Sequence, residues 1–360
     1  MIRERHSDEI SIEYDLKPTK LLLFPALLWL LALPGAAATI TFGSGGDQFS
    51  MDFVDVGNAM NADDTSPAGF GGVAYNYQIG VHEVSRDMIT KANAPVPSLG
   101  LTMADLTAFG GNGVDRPASG ISWNEAARFV NWLNTSQGFQ AAYQFTTQPG
   151  GGGYNANENL TLWSSGDAWQ PGGENLFRHK DAHYFLPSED EWYKAAYYDG
   201  NTSTYFDYAT GSDTAPTAVA SGTTADTAVY NGQAGPADIT NAGGLSPYGT
   251  MAQNGNVWEW AESDFDGTND SATGSRVLRG GGWVRASGGL QASDRSVGTP
   301  SFGDGSVGFR VAAVPEPSTL WMMLTGAISL MIRRKRYFAS LYAFALYPFF
   351  PFLTPSVARS

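Results

Sequence analysis

The chain has 360 residues, of which 42% are hydrophobic, 13% aromatic and only 16% charged, with 43 glycines and no cysteine. That size can bury one large core or two ordinary ones, and so much glycine and aromatic content favours a loop-rich fold over long solvated helices. The absence of cysteine excludes disulfides, thiolate metal sites and a cysteine nucleophile, and a net charge of −14 argues against nucleic acid as a partner.

The charge is unevenly placed. Basic residues gather at the two ends (Arg3, Arg5, Lys17, Lys20 and Arg333, Arg334, Lys335, Arg336), while from Thr39 to Glu316 about 12 Lys and Arg face about 30 Asp and Glu, roughly −18. Such an excess of acid keeps a protein soluble and also offers oxygen ligands to divalent cations.

In chain order, Lys17 and Lys20 precede the apolar run 21–33, which closes on Pro34-Gly35-Ala36-Ala37-Ala38. A basic flank, a short apolar core and a small-residue end read as a secretory signal peptide over residues 1–38, with cleavage near Ala38/Thr39. The core is short for a permanent span and is interrupted by Pro25. Thr39–Phe42, Phe49–Val56 and 76–85 alternate as strands do. Ser85 is placed to cap a helix beginning at Arg86. The clearest helix starts after Ser122, with Glu125 completing a capping box and Ala126, Phe129, Val130 and Leu133 forming the buried stripe. Residues 146–176 read as an irregular insertion, and a further capped helix follows Ser188, with Glu191 at the capping-box position and Trp192, Ala195 and Ala196 turned inward. Residues 200–250 read as turns and short strands, and 308–313 as a final strand.

The densest stretch is Asn254-Gly255-Asn256-Val257-Trp258-Glu259-Trp260, answered by Arg276-Val277-Leu278-Arg279-Gly280-Gly281-Gly282-Trp283. Glycines wedged under tryptophans imply close backbone packing with one carboxylate held inside. Trp258, Trp260 and Trp283 are expected to be core anchors, and Arg279, Arg295 and Arg310 to brace the core through carbonyl or carboxylate contacts. His179 and His183 are four apart and would share a face of a helix, but Phe185-Leu186-Pro187 argues against a helix there, and no spacing ties His82 to them; no Ser/His/Asp order or phosphate loop stands out.

After the last predicted strand come Val314-Pro315-Glu316-Pro317-Ser318-Thr319, the apolar residues 320–332 and the basic cluster 333–336. This order resembles the PEP-CTERM sorting signal. The resemblance implies a Gram-negative export route, transient membrane anchoring through residues 320–332, an exosortase-type machinery as partner, and delivery to the cell surface or extracellular matrix. Residues 337–360 form an apolar extension of unknown role.

Seven separated stretches then resemble, in order, the sulfatase-modifying-factor or formylglycine-generating enzyme family: 80–85, 117–126, 185–192, 246–249, 254–260, 276–283 and 308–311. The resemblance implies an α+β domain over residues 39–313, related to the C-type lectin fold and poor in regular secondary structure. It also implies copper held by two cysteines after the glycine run, but the matching positions are Arg285 and Leu290, with Gly282 where a serine is expected. A guanidinium and an isobutyl group cannot replace soft thiolates, so copper and the family's oxidase reaction are not expected. Calcium is implied at Gly255 and Val257 through their carbonyls and at Glu259 through its carboxylate, with Ala252 at the remaining position and Asn254 as its substitute. A second calcium site falls at Asn231, Gly232 and Asp238. The reading is therefore an exported, surface-sorted, non-oxidising binding or matrix module, with exopolysaccharide or another exported protein as ligand. Two alternatives stand beside it: an oxidoreductase of the same family, of the formylglycine-generating or iron-dependent type, and a structural biofilm protein.

Overall fold

The computed structural model describes residues 37–315. The expected signal peptide up to residue 36, the sorting segment beyond 315 with its apolar run 320–332, and the 337–360 extension lie outside the described residues. Among the described residues no helix is long and apolar enough to cross a membrane.

Three helices form where their caps predict them. Helix α1 (Arg86–Asn93) is capped by Ser85, with the Met88 sulfur accepting from the Ser85 N–H in place of the usual carboxylate. Helix α2 (Trp123–Ser136) and helix α3 (Glu189–Tyr197) each carry a complete capping box, from Ser122 with Glu125 and from Ser188 with Glu191. These reciprocal bonds satisfy amide groups that a helix start leaves without partners, a contribution of about 1 kcal/mol each.

Two sheets carry the core. The first is antiparallel throughout, in the order Ala38–Phe42, Phe49–Val56, Tyr77–Gly80, Ala312–Ala313, Tyr184–Phe185. Phe49, Met51 and Phe53 alternate inward along their strand, and Phe49 stacks on Phe129 and Trp132, which seats α2 on the sheet. The second sheet runs Ser296–Gly298, Arg276–Arg279, Trp258–Asp264, Val307–Gly308. Every residue of Trp258–Asp264 is buried, as befits a strand covered on both faces.

The single final strand expected over 308–313 is two. Val307–Gly308 runs parallel to Trp258–Glu259 in the second sheet, and Ala312–Ala313 pairs with Gln78–Ile79 in the first. Between them Phe309 and Val311 use their carbonyls to accept from Val84 and Gly80. The segment thus crosses from one sheet to the other and carries the Arg310 side chain into the space between.

Candidate functional site

The glutamate of the tryptophan-rich stretch lies at the centre of that junction. Glu259 and Arg310 are both fully buried and form a two-pronged ion pair, Nη2 to Oε1 at 2.5 Å and Nε to Oε2 at 2.5 Å. The Trp192 indole donates to Glu259 Oε2 at 2.6 Å, and Arg310 spends its remaining donors on the Gly80, Val81 and Met251 carbonyls. Glu83 lies close by, accepting from Asn256 Nδ2 and the Val257 N–H. Burial, and then the charge of Glu259, push the Glu83 carboxyl well above its ordinary range.

Calcium at Glu259 does not fit this arrangement. Both carboxylate oxygens are taken by a guanidinium and an indole N–H, and a divalent cation would have to displace Arg310. Asn254 Oδ1 is engaged by the Ala209 N–H. Gly255 and Val257 flank the site as backbone: Gly255 holds φ +91° against the Val229 carbonyl, a position that a side chain would block. Asn231, Gly232 and Asp238 share one loop, where Asn231 and Gly232 donate their amides to the Arg285 and Trp283 carbonyls and Asp238 faces Arg116 at 3.8 Å.

The loop after the glycine run separates the two positions that would hold copper. Arg285 is exposed, its guanidinium over the Trp258 ring at 5.3 Å. Leu290 closes a short 3-10 turn, Ser287–Leu290, and is fully buried among Tyr208, Ala228 and Tyr230. With no cysteine in the chain, these residues do not fit copper. The expected serine would have room at Gly282, where an added Cβ meets nothing closer than 3.5 Å, whereas Gly281 is held by the Gly289 carbonyl at 2.5 Å from the same point. The histidines do not assemble either. His82 borders one depression, His179 packs edge-on to Trp163, and His183 stacks on Phe139. Among the described residues no three His, Cys, Asp or Glu side chains are grouped to hold a metal ion.

A cleft of about 450 Å³ opens instead along one side of α3. Its walls include Tyr75, Trp169, Arg178, Asp190, Phe265 and Arg295, and none of the residues lining it is a histidine or cysteine. Beneath it Arg178 is a hub. Its guanidinium grips Glu191 at 2.9 and 3.1 Å and Glu262 at 2.7 and 3.0 Å, while the Tyr75 hydroxyl donates to Glu191 and the Tyr143 hydroxyl to Glu262. Burial works to raise both carboxyls. At Glu191 the adjoining guanidinium outweighs it and holds the group below its ordinary range, and Glu262 stays above. The fully buried Arg279 and the wall residue Arg295 converge on Glu189 at 2.5 and 2.7 Å, and Arg295 lies 4.3 Å over the Phe265 ring.

Asp190, between Glu189 and Glu191, differs from both. Its Oδ1 accepts the Gly71 N–H at 2.9 Å, and among the described residues no cation pairs with it. Burial raises its carboxyl to about 6, with Glu189, Asp63 and Glu191 adding to the effect. In the sequence, Glu191 is legible as the capping-box residue after Ser188 and 185–192 as one stretch of the family resemblance. Arg178, Glu262 and Asp190 went unseen because their partners lie far along the chain, and Trp169 sits inside what reads as a featureless insertion.

The comparisons with known proteins agree with this geometry. The model of the sulfatase-modifying factor enzyme 1-like domain matches residues 78–314. The chain belongs to the sulfatase-modifying-factor family. The PEP-CTERM protein-sorting motif matches residues 313–336, the tail of an exported, surface-sorted protein that exosortase-type machinery recognises. Among solved structures, CarF is 19% identical with a TM-score of 0.51, over 74% of this chain and 99% of that one, which supports the shared fold. Treponema denticola variable protein 1 is 21% identical over 78% of this chain and all of its own, with a TM-score of 0.49. PvdO from Pseudomonas aeruginosa is 16% identical over 77% and 98%, with a TM-score of 0.45. No curated protein matches. The α+β, family-type fold expected from the sequence is the one observed, and Arg279, Arg295 and Arg310 brace it through carboxylates and carbonyls as anticipated.

Proposed function

We propose that this family member is a surface-displayed binding module that holds a saccharide of the extracellular matrix in the cleft beside α3. The observation that carries the reading is the cleft wall itself. Aromatic rings stand among hydrogen-bonding groups fixed by buried ion pairs, which is the composition of a preorganised binding site. The positions that would carry the family's copper have meanwhile become a surface arginine and a core leucine. The sorting tail supports a place on the cell surface, where a matrix ligand is at hand.

The test is to isolate the exported protein, measure its copper, iron and calcium, and titrate it with matrix oligosaccharides. Saccharide binding that is lost in Trp169→Ala, without stoichiometric copper or iron, is the expected result. Stoichiometric copper or iron, or formylglycine formed on a sulfatase peptide, would replace the binding reading with an oxidoreductase one.

A further inference from the structure

The cleft has an electrostatic bias that the binding reading does not use. Its two wall arginines are already committed, Arg178 to Glu191 and Glu262 and Arg295 to Glu189. Three other carboxylates in the wall, Glu174, Asp190 and Asp266, have no ion-pair partner among the described residues. Glu174 and Asp266 are exposed and water can solvate them. Asp190 is different, because it is mostly withdrawn from solvent and is served by a single backbone N–H. A partly buried carboxylate with one hydrogen bond and no ion pair keeps its second oxygen open to a donor from the cleft, and a cationic donor makes the stronger bond. One surrounding ring adds to this preference. Tyr75 and Trp169 meet edge to face at 5.3 Å in the wall; guanidinium groups already lie over Trp169, Phe70 and Phe265, and Tyr75 is the ring among these four with no protein cation over it among the described residues.

Resting on the proposal that the cleft is a saccharide site, we infer that its ligand is an amino sugar whose ammonium group docks against Asp190. The ammonium donates to the carboxylate oxygen that the Gly71 N–H leaves open, while the ring lies along Tyr75 and Trp169. A uronic acid is disfavoured, because its carboxylate would enter a wall whose guanidinium groups are already neutralised. A neutral or N-acetylated sugar keeps the ring contact and loses the charge pair.

The experiment compares a glucosamine pentamer, its fully N-acetylated counterpart and a lysine pentapeptide by calorimetric titration at pH 7 against the exported protein. The amine pentamer is expected to bind at least tenfold more tightly than the acetylated one. Asp190→Asn keeps the acceptor for Gly71 and should abolish that difference, while Asp47→Asn, an exposed acid on the loop before Phe49, should leave it intact. Equal binding of the two sugars would leave the saccharide cleft standing and overturn the ammonium contact. Binding of neither overturns both. A lysine peptide as tight as the sugar, or an equal loss in Asp47→Asn, would show general attraction to an acidic protein and overturn the inference as well.

Discussion

Glu189, Asp190 and Glu191 occupy consecutive positions in the first turn of α3 and face two different regions. Glu191 reaches into the buried frame, where Arg178 neutralises it, and Glu189 lies in the cleft wall with Arg279 and Arg295 against it. Asp190 reaches the cleft wall and has only a backbone amide. The frame repays the desolvation of its charges with paired guanidinium groups and extra hydrogen bonds from Tyr75, Tyr143 and Asn175. The cleft leaves a charge unrepaid. Within the first turn of α3, the one carboxylate with no guanidinium against it is Asp190, and it lies in the cleft wall.

The contrast breaks first at Arg178. Its replacement by methionine removes one guanidinium from two fully buried carboxylates, Glu191 and Glu262, so a loss of about 3–5 kcal/mol in urea unfolding at pH 7 is expected. A loss below about 1 kcal/mol would mean that the frame does not depend on its hub.

Asp190→Asn is expected to act in the opposite direction. Burial raises the folded-state carboxyl from its ordinary 3.8 to about 6, so the folded protein binds more protons than the unfolded chain between those limits. Stability therefore falls as pH rises from about 4 to about 6 and stays reduced above. The asparagine variant should exceed the parent by about 2 kcal/mol at pH 7.5 and match it near pH 4. A parent that is the more stable of the two at pH 7.5 would mean that Asp190 has a partner after all.

The smallest change belongs to Arg285. Its side chain is exposed and touches mainly the Trp258 ring, so Arg285→Ala should shift the melting temperature by the equivalent of no more than about 0.5 kcal/mol. A larger effect would place Arg285 within the frame.

What the sequence discloses depends on the range of the interaction. Ser122 with Glu125 and Ser188 with Glu191 are three residues apart, and their capping boxes are legible without a structure. Thr39–Phe42 and Phe49–Val56 show their alternation directly. Glu191 illustrates the limit. Its role as a cap is local and readable, but its ion pair with Arg178 joins a helix to a strand in another sheet and leaves no periodic trace. The same holds for Glu259, whose placement in a tryptophan-rich stretch signals burial without revealing that Arg310, 51 residues on, takes both its oxygens. The cleft was the least legible feature, since its walls come from loops near residues 70, 169 and 265 that have composition but no pattern.

The two-residue strand Ala312–Ala313 sits inside the first sheet, bonded to Tyr77–Gly80 on one side and Tyr184–Phe185 on the other. It is also where the domain ends and the sorting motif begins. The first sheet cannot close until this last piece of the domain has been synthesised, so the body matures only once the sorting tail is next to emerge. A pull applied through the chain beyond residue 315 would enter at a strand clasped from both sides, so two seams would have to yield together.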